Sequence, residues 1–290
     1  MLILIFMTAV ALLHANAFAE NKFQNSNLEN QAREFVRLTK LPNPVLETLR
    51  CAKILHDTLQ HEDCRNVGLE EWLAVNRALE HFFSHDLTLP QRSVCQILLK
   101  DINKPIFMYT TEQSGFGFTH EVQPGETLSS IARQGKIYPD RIIRINRISN
   151  PNALNIGQPL RIIPGRVKLV VVLRGFYINA YINEVLFKHY PVAISKKGNT
   201  PKTTTRVSSS LARNPDYTDD RGIITRGDNP DNPVGTRWIG LELGRGFGIH
   251  GTSQPSSIGK AESKGCIRML NADVEELFDF VMVGDVVQIL

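Results

Sequence analysis

Apolar positions along the chain change their spacing twice, and the changes divide it into regions. Between Leu41 and Ile106 they recur every three or four residues, as in Leu46, Leu49, Ile54, Leu55 and Leu59, then Leu69, Trp72, Leu73 and Leu79. That spacing lines one face of a helix. Asn43-Pro44, Gly68 and Leu89-Pro90 punctuate the run into about three helices. After the glycine-rich SGFGF (Ser114 to Phe118), Val122-Gln123-Pro124-Gly125 predicts a strand entering a turn, and Thr127 ahead of Leu128, Ile131 and Ala132 predicts a capped helix. Ile142, Ile143 and Ile145 mark a second short helix, and NPNALNIGQPLRII (150–163) a loop running into a closing strand, for a β-α-α-β order.

From Val167 the period becomes that of strands. KLVVVLR and FYINAYINEVLFKHYPVAIS predict several strands with Ile182-Asn183-Glu184 as a hairpin turn, followed later by RWIGLEL and a final VVQIL. Only Asn271 to Phe280, with Val274, Leu277 and Phe278 on one face, reads as a helix. The stretch from Lys196 to Val234, rich in Thr, Ser, Asp, Asn, Gly and Pro, reads as a long irregular loop of the kind that serves as a lid or substrate surface. The expected fold is therefore α+β and multidomain, with a helical N-terminal region, a small β-α-α-β module and a mostly β domain built as a sandwich or partly closed barrel.

At 290 residues, 42% hydrophobic and 21% charged, the chain is ordinary for a globular protein of two or three domains. Its formal charge of +4 is mild, and no dense basic block with interleaved aromatics points to nucleic acid. The first residues are apolar from Leu2 to Leu13 and then present Ala17-Phe18-Ala19 before Glu20. This reads as a signal for export over 1–19, with no lysine or arginine ahead of the apolar run, and the polar 20–40 as a flexible lead. No later segment reads as membrane-spanning. Cys51, Cys64 and Cys95 fall in the helical region 41–110, where an oxidising compartment would let two of them pair. Neither Cys51, His56, His61 and Cys64 nor His81 and His85 match a zinc spacing, so no metal or cofactor is expected.

The middle unit, 118–164, resembles the LysM module. The resemblance is carried by Val122, Pro124-Gly125-Glu126-Thr127-Leu128, Ile131-Ala132, Asn146, Asn150-Pro151, Leu154 and Gly157-Gln158-Pro159-Leu160. It implies binding of N-acetylglucosamine-containing glycans such as peptidoglycan in a groove with Gly125, Glu126, Thr127 and Leu128 on one wall and Asn152, Ala153 and Leu154 on the other.

The last unit, 167–290, holds one stretch dense in candidate chemistry, FGIHGTSQPSSIGKAESKGCIRMLN (247–271). His250 is placed to end a strand at a sharp turn, and Cys266 stands between Gly265 and Ile267-Arg268. An imidazole and cationic groups near a thiol stabilise the thiolate, the nucleophilic form. Glycines at 251 and 265 offer positive φ and inward-facing N–H groups. On these residues alone, a catalytic cysteine and a buried free thiol both remain open. The pattern Ile249-His250-Gly251-Thr252, then Ser263-Lys264-Gly265-Cys266-Ile267-Arg268 and Asn271, is similar to the L,D-transpeptidase (YkuD-type) catalytic domain. Upstream, Tyr190-Pro191-Val192, Asn199-Thr200-Pro201, Asn229-Pro230, Asn232-Pro233, Gly235, Trp238 and Leu241 fit the same family. Two departures stand out. Lys202-Thr203 replaces the x-Gly that commonly follows Thr-Pro, and Lys264 stands where the family often has His.

The resemblance implies a cell-wall enzyme, exported to the periplasm or wall space, that acylates Cys266 with a peptidoglycan stem tetrapeptide, releases D-alanine and forms 3-3 crosslinks. His250 would be the base, Gly251 its orienting carbonyl, and the Lys264, Gly265 and Cys266 amides the oxyanion site. Ser263 and Arg268 would serve either chemistry or the loop, with Arg268 also readable as a packed salt-bridge residue. Trp238, Thr252 and Asn271 would meet substrate. The competing expectations are an L,D-carboxypeptidase or other remodelling enzyme of the same fold, and a non-catalytic wall-binding protein.

Overall fold

The structure is a computed structural model describing 116–290 except Lys197, Arg245 and Lys264, together with 105–109 and scattered residues between 73 and 103. The expected export signal, the lead, most of the helical region and Cys51, Cys64 and Cys95 lie outside the described residues. The chain divides into two compact units, Met1–Thr110 and Thr111–Leu290. In the first unit Leu79, Phe83 and Leu99 are buried and helical, and Asn76 Nδ2 donates to buried Asn103 Oδ1 at 2.8 Å.

The second unit begins with β1 (Phe118–Glu121), α1 (Leu128–Gln134), α2 (Pro139–Asn146) and β2 (Pro159–Ile162), with β1 and β2 paired antiparallel. The expected β-α-α-β order is present. Thr127 caps α1, accepting from the Ser130 amide at 3.2 Å while Ser130 Oγ accepts from the Thr127 amide at 2.9 Å. This reciprocal arrangement satisfies donors that a helix start otherwise leaves free. Val122, Leu128, Ile131, Ala132, Ile142 and Leu160 form its core.

After four intervening residues the larger domain starts with β3 (Val167–Val172), β4 (Tyr177–Ile182), β5 (Val185–Pro191), β6 (Ile194–Ser195), β7 (Thr203–Arg213), β8 (Tyr217–Thr218) and β9 (Ile224–Thr225). Then come β10 (Arg237–Leu241), β11 (Gly248–His250), β12 (Ala261–Ser263), β13 (Ile267–Arg268), α3 (Asn271–Phe280) and β14 (Val286–Ile289). Eight strands form one sheet in the order β13-β11-β10-β7-β14-β3-β4-β5. The β4–β5 hairpin turns as expected at Asn183 and Glu184, whose φ of 52° and 60° fit the primed turn that matches strand twist. The sheet curls until its ends meet. Ala193, just past β5, exchanges both backbone hydrogen bonds with Arg268 of β13, at 2.8 and 2.9 Å. A partly closed barrel, rather than two separate sheets, is the outcome.

One expectation fails. Within the stretch read as a long loop lies β7, an eleven-residue strand that pairs with β14 over Thr203 to Arg206 and with β10 from Val207 onward. It joins the two halves of the sheet. Its sequence, TTTRVSSSLAR, hides this because only Thr205 and Val207 face inward and the rest of the strand is half or fully exposed. Threonine suits a half-buried pleated surface, but a mostly solvated strand lacks the apolar alternation that signals one. The helix α3 packs Val274, Leu277 and Phe280 inward. Among the described residues no helix is long and apolar enough to cross a membrane.

Candidate active site

The site forms where β11 and β13 run parallel, with Ile249 paired to Ile267 and His250 to Arg268. Register on the other side of β11 sets Trp238 against His250, and their rings stack 5.6 Å apart at 17°. Trp238, expected to meet substrate, thus lies against the imidazole. The His250 carbonyl accepts from Met269 N at 2.8 Å, so the backbone is held from both neighbours. His250 is buried.

His250 Nδ1 lies 2.6 Å from the Gly251 carbonyl oxygen. A carbonyl only accepts, so Nδ1 carries the proton and Nε2 is left with its lone pair. Burial pushes the His250 pKa down to about 4, helped by the nearby Arg268 charge, while the Gly251 carbonyl opposes the shift. The imidazole is therefore neutral at physiological pH.

The turn after His250 is fixed by Asn271, whose Oδ1 accepts from Thr252 N at 3.0 Å and Thr236 N at 3.4 Å. This first residue of α3, expected to meet substrate, spends its oxygen on the backbone beside the histidine. Buried Thr252 is used locally too, its Oγ1 accepting from Gln254 N at 3.0 Å. Gly251 is required for close approach, not for positive φ. A Cβ there would stand 2.1 Å from Asn271 Oδ1, and the same holds at Gly235, which does have a positive φ of 60°. Gly265, also expected at positive φ, has neither constraint, since its added Cβ would meet only Phe247 Cε1 at 3.6 Å.

Cys266, the one described cysteine, is partly exposed and free. Two side chains hold its turn. Thr200 Oγ1 donates to the Gly265 carbonyl at 2.7 Å, and Ser263 Oγ donates to the Cys266 carbonyl at 2.6 Å. Because a trans peptide points its C=O and N–H opposite ways, fixing the Gly265 carbonyl also aims the Cys266 amide. Among the described residues the Gly265 and Cys266 amides have no backbone acceptor. Lys264 lies outside the described residues.

The thiol is not joined to the imidazole. Cys266 Sγ donates to the Gly246 carbonyl at 2.9 Å, and no hydrogen bond links it to His250 among the described residues. Burial pushes the thiol pKa up, while the Gly248 amide and the Arg268 charge pull the other way. The expectation of a stabilised thiolate is overturned, because desolvation outweighs the nearby cation. Among the described residues Arg268 has no carboxylate within ion-pair reach, and its buried Nε lacks a partner. Its backbone closes the barrel instead. The same residues hold no cluster of three metal-ligating side chains.

In the LysM-like module, several of the residues expected to line the glycan groove are engaged within the module. Glu126 accepts from Gln123 N at 2.9 Å and Gln134 Nε2 at 3.1 Å and pairs with His120 at 2.6 Å. Those hydrogen bonds, that from Gln123 foremost, lower its pKa. Thr127 caps α1, Leu128 is core, and half-buried Leu154 packs against that core. Gly125, Asn152 and Ala153 are exposed.

Thr200, Asn232 and Gly246 complete the site without having been singled out for it. Thr200 and buried Asn232 stand in segments recognised only as family signature, and Asn232 braces its loop by accepting from Val234 N at 3.0 Å and donating to the Pro215 and Arg226 carbonyls at 2.8 and 3.1 Å. Gly246 could have been suspected from GRGFG, two glycines next to the histidine strand.

Residues 166–289 match the family of L,D-transpeptidase catalytic domains (YkuD), and residues 120–162 match the LysM domain. A YkuD protein of Bacillus licheniformis, named L,D-transpeptidase, is 37% identical over 180 residues, covering 59% of this chain and 97% of the relative. Its namesake in Bacillus subtilis is 35% identical over 173 residues, covering 57% of this chain and 94% of the relative. A solved L,D-transpeptidase from Mycobacterium smegmatis is 17% identical with a TM-score of 0.36, over 47% of this chain and 64% of that one. With nearly the whole length of the Bacillus proteins matched above 30% identity, the chain belongs to the L,D-transpeptidase family, with a LysM domain ahead of its YkuD catalytic domain.

Proposed function

We propose that the protein is a peptidoglycan L,D-transpeptidase in which Cys266 is the nucleophile and His250 the base. The observation that carries this reading is the single tautomer of His250, whose Nδ1–H is held by the Gly251 carbonyl at 2.6 Å and whose Nε2 is left to accept a proton. With the imidazole's proton affinity lowered and the thiol's raised, a resting thiolate–imidazolium pair is disfavoured. Substrate must draw Sγ away from the Gly246 carbonyl. The thiol proton then passes to Nε2 as sulfur attacks the carbonyl carbon of the donor stem's third residue, the one bonded to the D-alanine nitrogen. General base catalysis of this kind contributes about 10²–10⁴-fold.

The oxygen of the tetrahedral intermediate is received by the Gly265 and Cys266 amides, each such donor worth roughly 3 kcal/mol. As the intermediate collapses, the C–N bond breaks, Nε2 returns its proton to the amine of D-alanine, and the donor remains on Cys266 as a thioester. A side-chain amine of a second stem attacks that thioester, loses its proton to Nε2, and forms the 3-3 crosslink as the thiol is restored. Arg268 lowers the charge cost of a developing thiolate and stands near the donor. Thr200, through the Gly265 carbonyl, keeps the donor amide of Cys266 aimed, Ser263 braces the carbonyl that follows it, and Trp238 backs the imidazole.

The LysM groove, with Gly125 and Glu126 to Leu128 on one side and Asn152 to Leu154 on the other, binds the glycan and keeps the enzyme at the wall. Export follows from that substrate. Incubating the purified protein with disaccharide-tetrapeptide tests the reading: the expected product is a dimer whose mass is two monomers less one D-alanine, absent with Cys266→Ala. Dimer formed by Cys266→Ala would overturn it, and free tripeptide in place of dimer would assign hydrolysis instead.

A further inference from the structure

Arg141, on α2 of the LysM domain, is fully buried, at 0% exposure. A charged group so deep requires acceptors around it. Nη1 donates to the Gly165 carbonyl at 2.7 Å and the Ile163 carbonyl at 3.3 Å, both in the short linker between the domains. Nη2 donates to the carbonyl of Phe280, and the guanidinium carbon stands 5.7 Å from the Phe280 ring centroid. Phe280 ends α3. The last carbonyls of a helix have no partner within it and carry the negative end of its dipole, so a cation here satisfies both. Around this contact Arg144 pairs with Asp279 at 2.6 Å, Arg213 bridges Asp140 at 2.8 Å and Asp279 at 3.4 Å, and Met282 of the catalytic domain is part of the LysM core. The LysM domain is thus clamped to the last turn of α3.

The first residue of the same helix is Asn271, whose Oδ1 holds the Thr252 and Thr236 amides beside His250. A ten-residue helix is about 15 Å of stiff rod, so moving its last turn displaces its first. Little displacement is tolerated there, since Gly235 and Gly251 leave no room even for a methyl group next to Asn271 Oδ1.

We infer that Arg141 is a positioning residue for His250, acting through α3 and Asn271, so that the LysM domain sets the catalytic turn as well as meeting glycan. The inference rests on His250 being the base. The test compares wild type, Arg141→Met and Arg141→Lys on soluble disaccharide-tetrapeptide, reading kcat, KM and amide hydrogen exchange at Thr252. Arg141→Met is expected to lower kcat about tenfold with KM within about twofold, as a misplaced catalytic group does, and to speed Thr252 exchange. Arg141→Lys falls between, because an ammonium cannot reproduce the planar fork.

A purely structural Arg141 would speed exchange in the LysM amides of Ile131 and Ile137 while Thr252 and kcat stayed as in wild type, and that result overturns the inference. If Arg141→Met does not fold, Arg144→Gln, which removes only the partly exposed pair with Asp279, is expected to give the same signature at about twofold. Wild-type kcat and Thr252 exchange in that variant would overturn the inference equally. Absence of crosslinking by the wild type would refute the catalytic reading, whereas Thr252 exchange would still report on the clamp.

Discussion

The two turns that carry the candidate chemistry are built in opposite ways. The His250 turn is locked: the ring is buried and stacked, its Nδ1 is engaged, and Asn271 fills the space that Gly235 and Gly251 leave open. Among the described residues the Cys266 turn is held by its carbonyls, through Thr200 and Ser263, and its sulfur faces the Gly246 carbonyl rather than the imidazole. A base needs one tautomer and one orientation at all times. A nucleophile must move from thiol to thioester and back, so tolerance around it costs little and rigidity would hinder it.

The largest test of this contrast is a pair of alanine substitutions at its two glycines. Gly251→Ala brings a methyl within 2.1 Å of Asn271 Oδ1, and should cost roughly 2–4 kcal/mol in stability together with most of the activity, measured by denaturant unfolding and dimer formation. Gly265→Ala meets only the Phe247 ring at 3.6 Å and should fold within about 0.5 kcal/mol of wild type. Equal effects at the two positions would erase the difference between the turns. Asn271→Ala comes next. It leaves the Thr252 and Thr236 amides without their acceptor, at a cost of about 1–3 kcal/mol, with kcat lowered more than KM is raised.

Smaller, but sharper about chemistry, is the acid limb of kcat/KM. The proposed mechanism requires a neutral His250, whose pKa is pushed down to about 4. Activity should therefore persist on acidification through pH 6 and fall only near pH 4. The same shift weakens the fold in acid: between the ordinary value of 6.5 and about 4 the unfolded chain binds a proton that the folded chain does not, so stability declines as pH falls through that window. Asp273 works in the reverse direction. Burial, with Glu276 beside it, raises its pKa to about 6, so between the ordinary value of 3.8 and about 6 the folded chain binds more proton and stability declines as pH rises. Asp273→Asn should accordingly raise Tm by a few degrees (~2–4 °C) at pH 8 and leave it little changed at pH 4.

Much of the architecture was legible because it depends on side-chain pattern. The β-α-α-β module, the β4–β5 hairpin and α3 each announce themselves through spacing, a cap or a turn pair. His250 and Cys266 were legible through a motif that keeps both beside glycines. β7 was not, because a strand solvated on most of its length looks like a loop. Nor was the docking of the two domains. Arg141 sits in PDRIIRIN among residues that suit an ordinary exposed helix face, and its acceptors, the carbonyls of Gly165 and Phe280, are far apart in sequence and carry no side-chain signal. Protonation was misread for a related reason: sequence shows the arginine beside Cys266, but not the burial that outweighs its charge.

The central claim is that Cys266 carries the donor as a thioester. Mixing the protein with tetrapeptide muropeptide, quenching in acid within the first turnover and mapping the adduct by mass spectrometry tests it most directly. The account predicts a mass increase equal to the donor less D-alanine, confined to the peptide containing Cys266 and absent from Cys266→Ala. An adduct on another residue, or turnover with no adduct in wild type while His250→Gln stays fully active, would contradict it.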